Sequence, residues 1–553
     1  MAVVQNRIGA IFALLFLLLL LAGFRTAYLG VFRGAALRQA ASDQQTTHET
    51  VVAQRGAITD RNGVDLAISE PARDVSADPY LLSDPLSAAA KLAPVIGQPQ
   101  NELLRKLSQR TGFVYLARGM PARQAESVLA LKIPGVTGTP VMKRVYPRGT
   151  LAAQVLGQVG TEGQGLSGIE LELESVLHGR TGQRRVVSDA IGQPVSISEP
   201  HPESPGAAVK LTLDANIQQR TEDVLGAVAQ AFSPKDATAI VMDPRDGSIL
   251  AIANWPQENA NDPGAFSPEA RRDRSVNFPY EPGSTFKAVA VSGALQQGLI
   301  TPESGFSVPG QIQVADRTIH DDTEHGVETL STSQILARSS NVGAIEIGKL
   351  LGATRFNAWV HSFGFGTQTR VGLPGEEPGV TPALDHYSGS SMGNLPIGQG
   401  ELVTPMQMAA AYAAIANGGI LRPPHIVSEI GGRAQPLPPG RRILSSTIAA
   451  EVRHMLEGVL GPEGTASEVS VPGYTLAGKT GTASKVDPET GEYSKSKYVA
   501  SFIGFAPASD PRLLTAVVVD EPQSGSIFGG TVAAPAFGQI MSFALPYLGI
   551  QPH

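Results

Sequence analysis

Apolar and polar positions along this chain fall into blocks of changing period. Ile8 to Phe24 is an uncharged apolar run. As a helix it would span roughly 26 Å, the thickness of a hydrocarbon core, and Ala27 to Phe32 extends it. The run reads as an uncleaved anchor in a segment, 1–38, made of a short cytoplasmic tail and a transmembrane helix. The alternative is a cleaved signal peptide, which has a shorter apolar core and a small-residue cleavage site close behind it. Arg7 precedes the run and Arg25, Arg33 and Arg38 follow it. That order opposes the positive-inside bias, so the side of the membrane must be argued from the chemistry downstream.

Residues 39–54 are polar and read as a stem. In Arg55-Gly56-Ala57-Ile58-Thr59-Asp60-Arg61-Asn62-Gly63-Val64-Asp65-Leu66-Ala67, the Asn-Gly pair between short apolar stretches predicts a β-hairpin. Helical spacing follows near Asn101–Gln109 and Pro121–Leu131, and a β-rich stretch begins at Val141. Residues 55–205 thus form a β-rich, elongated domain without a nucleophile–base constellation, a spacer or interaction module. Ser198 to Ala208, with three prolines, reads as a linker. In 209–550, helical spacing over Leu213–Ala231 precedes two strand patterns, Ala237–Asp243 and Ser248–Asn254, joined by the turn Pro244-Arg245-Asp246-Gly247. The middle reads as mostly helical. Strand patterns return at Tyr474–Thr480, Tyr498–Phe505 and Leu513–Val519, and Ala534–Leu545 closes as a helix. Strands at both ends with helices between them predict an α+β domain whose antiparallel sheet is built from both termini.

The length, 553 residues, exceeds one core, and 42% hydrophobic residues support globular folding. A net charge of −7 leaves no basic surplus for phosphates, against a nucleic-acid partner. The chain has no cysteine, which excludes disulfides, thiolate metal sites and cysteine nucleophiles.

Candidate chemistry centres on Tyr280-Glu281-Pro282-Gly283-Ser284-Thr285-Phe286-Lys287. Pro-Gly is a turn, and from Phe286 to Leu295 the residues predict a buried, apolar helix. Three residues apart on a helix, Ser284 and Lys287 share a face. A buried lysine loses hydration of its charged form and becomes a base, and a serine beside a base is a nucleophile. Alone, Ser284 could equally be an N-cap with a chance lysine; Ser494-Lys495-Ser496-Lys497 has the same spacing in a polar run. Ser339-Ser340-Asn341 offers a hydroxyl and an amide to relay a proton and hold a substrate amide, a weak signal matched by Ser275-Val276-Asn277. Lys479-Thr480-Gly481-Thr482 closes a strand pattern. There Gly481 would let a substrate backbone lie close to the strand, and Lys479, Thr480 and Thr482 would bind a carboxylate. Its rival is an ordinary polar turn.

Taken together, Ser-x-x-Lys, Ser-x-Asn and Lys-Thr-Gly in this order resemble the motif set of the penicillin-recognising serine enzymes. Glu281–Lys287, Arg338-Ser339-Ser340-Asn341-Val342-Gly343 and Ala477–Ala483 resemble class B penicillin-binding proteins almost word for word. So do Gly398-Gln399-Gly400, Thr404-Pro405-Met406-Gln407-Met408-Ala409 and Ile415-Ala416-Asn417-Gly418-Gly419. Arg55–Ala67 and Gly168-Ile169-Glu170 resemble that family's pedestal. Glu376-Glu377-Pro378-Gly379, Asp520-Glu521-Pro522 and Gly529–Pro535 are closer to the division (septal) type than to the elongation type.

The resemblance implies one anchor, a pedestal outside the membrane and a D,D-transpeptidase domain that cross-links peptidoglycan stem peptides. Ser284 would form the acyl-enzyme, Lys287 would take its proton, and Ser339 and Asn341 would relay it and orient the substrate. Lys479, Thr480 and Thr482 would bind the terminal carboxylate, and Gly481 would let the substrate backbone lie close. β-Lactams would acylate Ser284. No cofactor is implied, and the implied partners are a membrane-embedded lipid II glycosyltransferase and divisome proteins. His320-Asp321-Asp322 with Glu324-His325 reads as a solvated loop, with a metal site as its rival. Alternatives for the whole chain are an elongation-type transpeptidase, a β-lactamase, and a non-hydrolytic β-lactam-binding scaffold or sensor.

Overall fold

The computed structural model describes residues 2–35, 39, 46–189, 193–265 and 267–552. Arg38 and residues 40–45 of the expected stem lie outside them. Helix α1 (Ala2–Val31) is long and apolar enough to cross a membrane, and from Val4 on none of it is buried against the described chain. The chain divides into two compact units. One comprises Met1–Gln54, Ala72–Met142 and Gly179–Gly206, the other Arg55–Pro71, Lys143–His178 and Ala207–His553.

In the first unit the strand Thr46–Val51 pairs with Gly182–Ser188, which pairs with Pro194–His201. Two expectations change here. The last part of the polar stem is a strand, because Thr46, Thr47, Thr50 and Val51 are β-branched and fit an extended backbone although few are apolar. The expected linker also begins inside a strand, with Ser198 opposite Arg185. A second core gathers Val75, Leu92, Leu103, Leu116 and Val128 beneath three helices. One of them, Pro85–Ile96, was not foreseen. Its signals were Asp84, whose carboxylate caps Leu86 and Ser87 N–H, proline at the first position, and left-handed Gly97 at the end.

In the second unit the Asn62-Gly63 turn forms, with the Asp60 carboxylate accepting from Asn62 and Val64 N–H. Helix α2 (Ala215–Phe232) leads into strands β1 (Asp236–Met242) and β2 (Ile249–Trp255). From the far end of the chain come β3 (Ala477–Val486), β4 (Tyr493–Ala506) and β5 (Leu513–Asp520). The sheet runs β2-β1-β5-β4-β3, antiparallel throughout, so the two ends of the domain meet at the β1–β5 pair as expected. Every residue of β1 and β5 is buried. Helices α2 and α6 (Ala534–Tyr547), together with α5 (Pro405–Ala416), cover the sheet, which is why these strands are continuously apolar rather than alternating. The middle is less purely helical than expected: short hairpin strands occupy Gly305–His320 and Glu328–Ser331.

Candidate active site

Ser284 lies in a 3-10 turn, Gly283–Phe286, that runs straight into helix α3 (Lys287–Gln296). Residues three apart eclipse in that geometry, so Ser284 and Lys287 share an edge. Ser284 is half-buried, whereas Lys287 is fully buried, as is every residue through Leu295. Gly283 adopts φ +54°, and a Cβ there would come 3.1 Å from the Thr482 carbonyl oxygen. The nucleophile turn therefore rests on β3. On its other side Gly283 N–H donates to Gly398 O at 3.0 Å, and a Cβ on Gly398 would fall 2.2 Å from Gly283 O. Tyr412, buried in α5, donates its hydroxyl to Thr285 O at 2.7 Å.

The Lys287 Nζ donates to Ser339 O (2.5 Å), Ser339 Oγ (3.2 Å) and Asn341 Oδ1 (2.7 Å). Among the described residues no hydrogen bond links it to the Ser284 hydroxyl. The three acceptors suit an ammonium, which has no lone pair for a serine proton. Burial nonetheless pushes the Lys287 pKa down to about 8, against the opposing charges of Asp322 and Asp321. Ser339 holds a left-handed backbone, φ 62°, between the helix Thr332–Arg338 and α4 (Asn341–Leu351), and this bend turns both its oxygens toward the amine.

Asp321 anchors that bend. It accepts from Ser340 Oγ at 2.7 Å and Val342 N–H at 2.9 Å, and pairs with His325 Nε2 at 3.0 Å. Asn341 Nδ2 donates to His320 O at 2.9 Å. The loop is thus more than solvated: it holds the Ser-x-Asn segment. Among the described residues no group of three His, Cys, Asp or Glu side chains is arranged to hold a metal.

Lys479 and Lys287 are both fully buried and close enough that the Lys287 charge adds to burial in driving the Lys479 pKa well down. The Lys479 Nζ has two contacts at 3.3 Å, Thr480 O and Thr480 Oγ1. Thr480 Oγ1 shares a 2.6 Å bond with Thr465 Oγ1, and Thr482 Oγ1 accepts from Gly529 N–H at 3.2 Å. At Gly481 the protein itself supplies a reason for glycine beside the expected room for a substrate. A Cβ there would fall 2.4 Å from Ser501 Oγ and 2.9 Å from Thr285 Cγ2, so its absence lets the protein's own nucleophile turn close on the strand.

The structure thus brings Ser284, Lys287, Ser339, Asn341 and Lys479–Thr482 together around the nucleophile turn. Of the other Ser-x-x-Lys pair, Ser494 lies half-buried and Lys497 exposed near the start of β4. The motifs give no role to three residues that the structure places here: Thr465, Asp321 of the loop read as solvated, and Glu281 of the serine stretch, whose carboxylate accepts from Gly400 N–H and Tyr493 OH. Only the position of Glu281 directly before the Pro-Gly turn pointed to it.

A hydroxyl, a buried amine depressed toward neutrality and a second buried lysine on the neighbouring strand are the groups that a serine acyl-transfer centre uses. Residues 237–542 match the penicillin binding protein transpeptidase domain, and residues 50–211 the penicillin-binding protein dimerisation domain. The chain is 35% identical to the penicillin-binding protein PbpB of Mycobacterium tuberculosis, over 96% of this chain and 84% of that one. It is 33% identical to the peptidoglycan D,D-transpeptidase FtsI of Escherichia coli, over 96% and 89%. A crystal structure of penicillin binding protein 3 from Mycobacterium tuberculosis complexed with aztreonam aligns with a TM-score of 0.72 and 30% identity, covering 91% of this chain and 98% of that one. This chain belongs to the penicillin-binding proteins, in the arrangement of transpeptidase and dimerisation domains that its motifs identify with class B.

Proposed function

We propose that this chain is a peptidoglycan D,D-transpeptidase of the division type, with Ser284 as nucleophile. The observation that carries the reading is the fully buried Lys287 amine, one turn after Ser284 and bonded to Ser339 and Asn341. In its neutral form the amine regains a lone pair and takes the Ser284 proton as Oγ attacks the carbonyl between the two terminal D-alanines of a stem peptide. The peptide C–N bond breaks, the proton passes by way of Ser339 to the leaving D-alanine amine, and an ester to Ser284 remains. Asn341 orients the substrate amide. An amine of a neighbouring strand then displaces the ester, and Ser284 recovers a proton. The terminal carboxylate binds at Lys479, Thr480 and Thr482 and recharges Lys479, whose ammonium is unfavourable in the empty site. Backbone N–H groups of Ser284 and Thr482 form the oxyanion hole, where one donor is worth about 3 kcal/mol. A β-lactam acylates Ser284 in the donor's place.

In this reading residues 1–38 anchor the chain by a single pass, 39–54 form a stem, and 55–205 form the pedestal. Residues 209–550 carry the chemistry on the extracytoplasmic side, where the substrate is. A membrane-embedded lipid II glycosyltransferase and divisome proteins are the partners this arrangement calls for. The test is labelling of the full-length protein with fluorescent penicillin and mapping of the modified peptide. The adduct is expected on Ser284, and Ser284→Ala should lose both labelling and rescue of a division-defective strain. An adduct on Ser494, or none, sinks the assignment; rescue by Ser284→Ala would make the chain a scaffold, and steady penicillin hydrolysis a β-lactamase.

A further inference from the structure

Beneath the nucleophile turn lies a group of buried polar atoms that the acyl transfer does not use. Glu281 Oε1 accepts from Gly400 N–H at 2.9 Å and from Tyr493 OH at 3.1 Å. Those donors come from different parts of the cleft. Gly400 belongs to the loop whose Gly398 packs on Gly283, and Tyr493 opens β4 opposite Val486, the last residue of β3. One carboxylate therefore ties together the turn carrying Ser284, the glycine loop behind it and the free end of the Lys-Thr-Gly hairpin. Its other oxygen, Oε2, is buried and lacks a hydrogen-bond partner among the described residues, and so does Oε1 of Glu401, a residue 2% exposed and next in sequence to Gly400.

A buried carboxylate that feels the charge of a second one loses its hydration and is repelled as well, so Glu401 is driven to the neutral form while Glu281 is charged. We propose that Glu281 positions Ser284 as one member of a carboxyl pair with Glu401 that holds a single proton, carried by Glu401. The division of charge follows from the surroundings. Glu281 is half-buried, has two donors and feels the Arg317 guanidinium. Glu401 has the negative charge of Glu281 and, among the described residues, no cation to offset its burial. The other titratable groups that interact with the pair, Tyr387 with Glu401 and Tyr493 with Glu281, are neutral phenols whose pKa burial raises further. A proton on Glu401 leaves the Glu281 carboxylate free to hold the Gly400 and Tyr493 donors, and with them the seat of the nucleophile.

The inference rests on Ser284 as the acylated residue, and its test has one arm independent of that reading. In full-length wild-type protein the infrared spectrum should carry a protonated-carboxyl carbonyl band at neutral pH that Glu401→Gln removes. Glu281→Gln should move the disappearance of that band to lower pH, since the charge that retains the proton is gone. In acylation by fluorescent penicillin, Glu281→Ala should slow the rate on the order of tenfold to a hundredfold, the scale of a small misplacement of reacting groups. Glu401→Gln, the neutral isostere, should recover most of the wild-type rate. Where Glu281→Ala does not fold, Glu281→Gln and Glu401→Gln decide the matter. A band indifferent to both Gln variants overturns the shared proton, and wild-type acylation by Glu281→Ala overturns the positioning. Absence of labelling in the wild type would instead overturn the transpeptidase reading, with the infrared arm still deciding the pair.

Discussion

Lys287 illustrates how burial makes a base from the most strongly hydrated side chain. With its pKa lowered to about 8, roughly a tenth of the amine is neutral at pH 7. Only that fraction can accept a proton, so acylation by penicillin should rise nearly tenfold per pH unit below 8 and level off above it. Stopped-flow acylation between pH 6 and 9 checks this; a flat profile would mean that Lys287 is not the base. The Lys287→Ala variant should lose acylation while Ser284 remains in place. Gly481 makes a different point at the same scale. Its type was read as room for a substrate, yet the atoms that would collide with a side chain belong to Ser501 and Thr285. A sequence shows that a position needs glycine without showing which neighbour requires it.

At the scale of elements, the Arg55–Ala67 and Gly168–Glu170 stretches matched one family and proved to be one buried ionic cluster. Glu170, fully buried, takes the Arg55 Nε at 2.6 Å on one oxygen and the Arg144 Nε at 2.7 Å on the other, while Arg55 also reaches Glu174 at 2.6 Å. Removing the shared carboxylate leaves the Arg144 guanidinium without its carboxylate and Arg55 with Glu174 alone, both almost without solvent. Glu170→Ala is therefore expected to cost about 3–5 kcal/mol of stability, measured by denaturant unfolding of the full chain. A loss under about 1 kcal/mol would show that the cluster behaves as a surface pair. Helices also signalled their ends unequally. The capping box of Thr404 and Gln407 marked α5, whereas the polar strand Thr46–Val51 carried no apolar alternation to betray it.

For the whole molecule, α1 is apolar along its length and buries none of that surface against the described chain. Deleting residues 2–31 should release the protein from membranes on fractionation and leave the penicillin-labelling rate within about twofold, since the helix and the motif residues belong to different compact units. A truncated protein that no longer labels would give the anchor a role in folding the catalytic unit.

The amino-acid sequence by itself determined the long apolar helix α1, the antiparallel sheet drawn from both ends of the domain, the buried helix after Ser284 and the three motifs, because periodicity and turn chemistry are local. Tertiary structure alone decided which groups meet. Only in the folded chain does Ser339 bend both its oxygens onto Lys287, Asp321 hold that bend, and Glu281 join three segments around Ser284. Contacts between residues so far apart in sequence leave no periodic trace. They are set by which faces must be buried together, and by the requirement that polar groups carried inside find partners there.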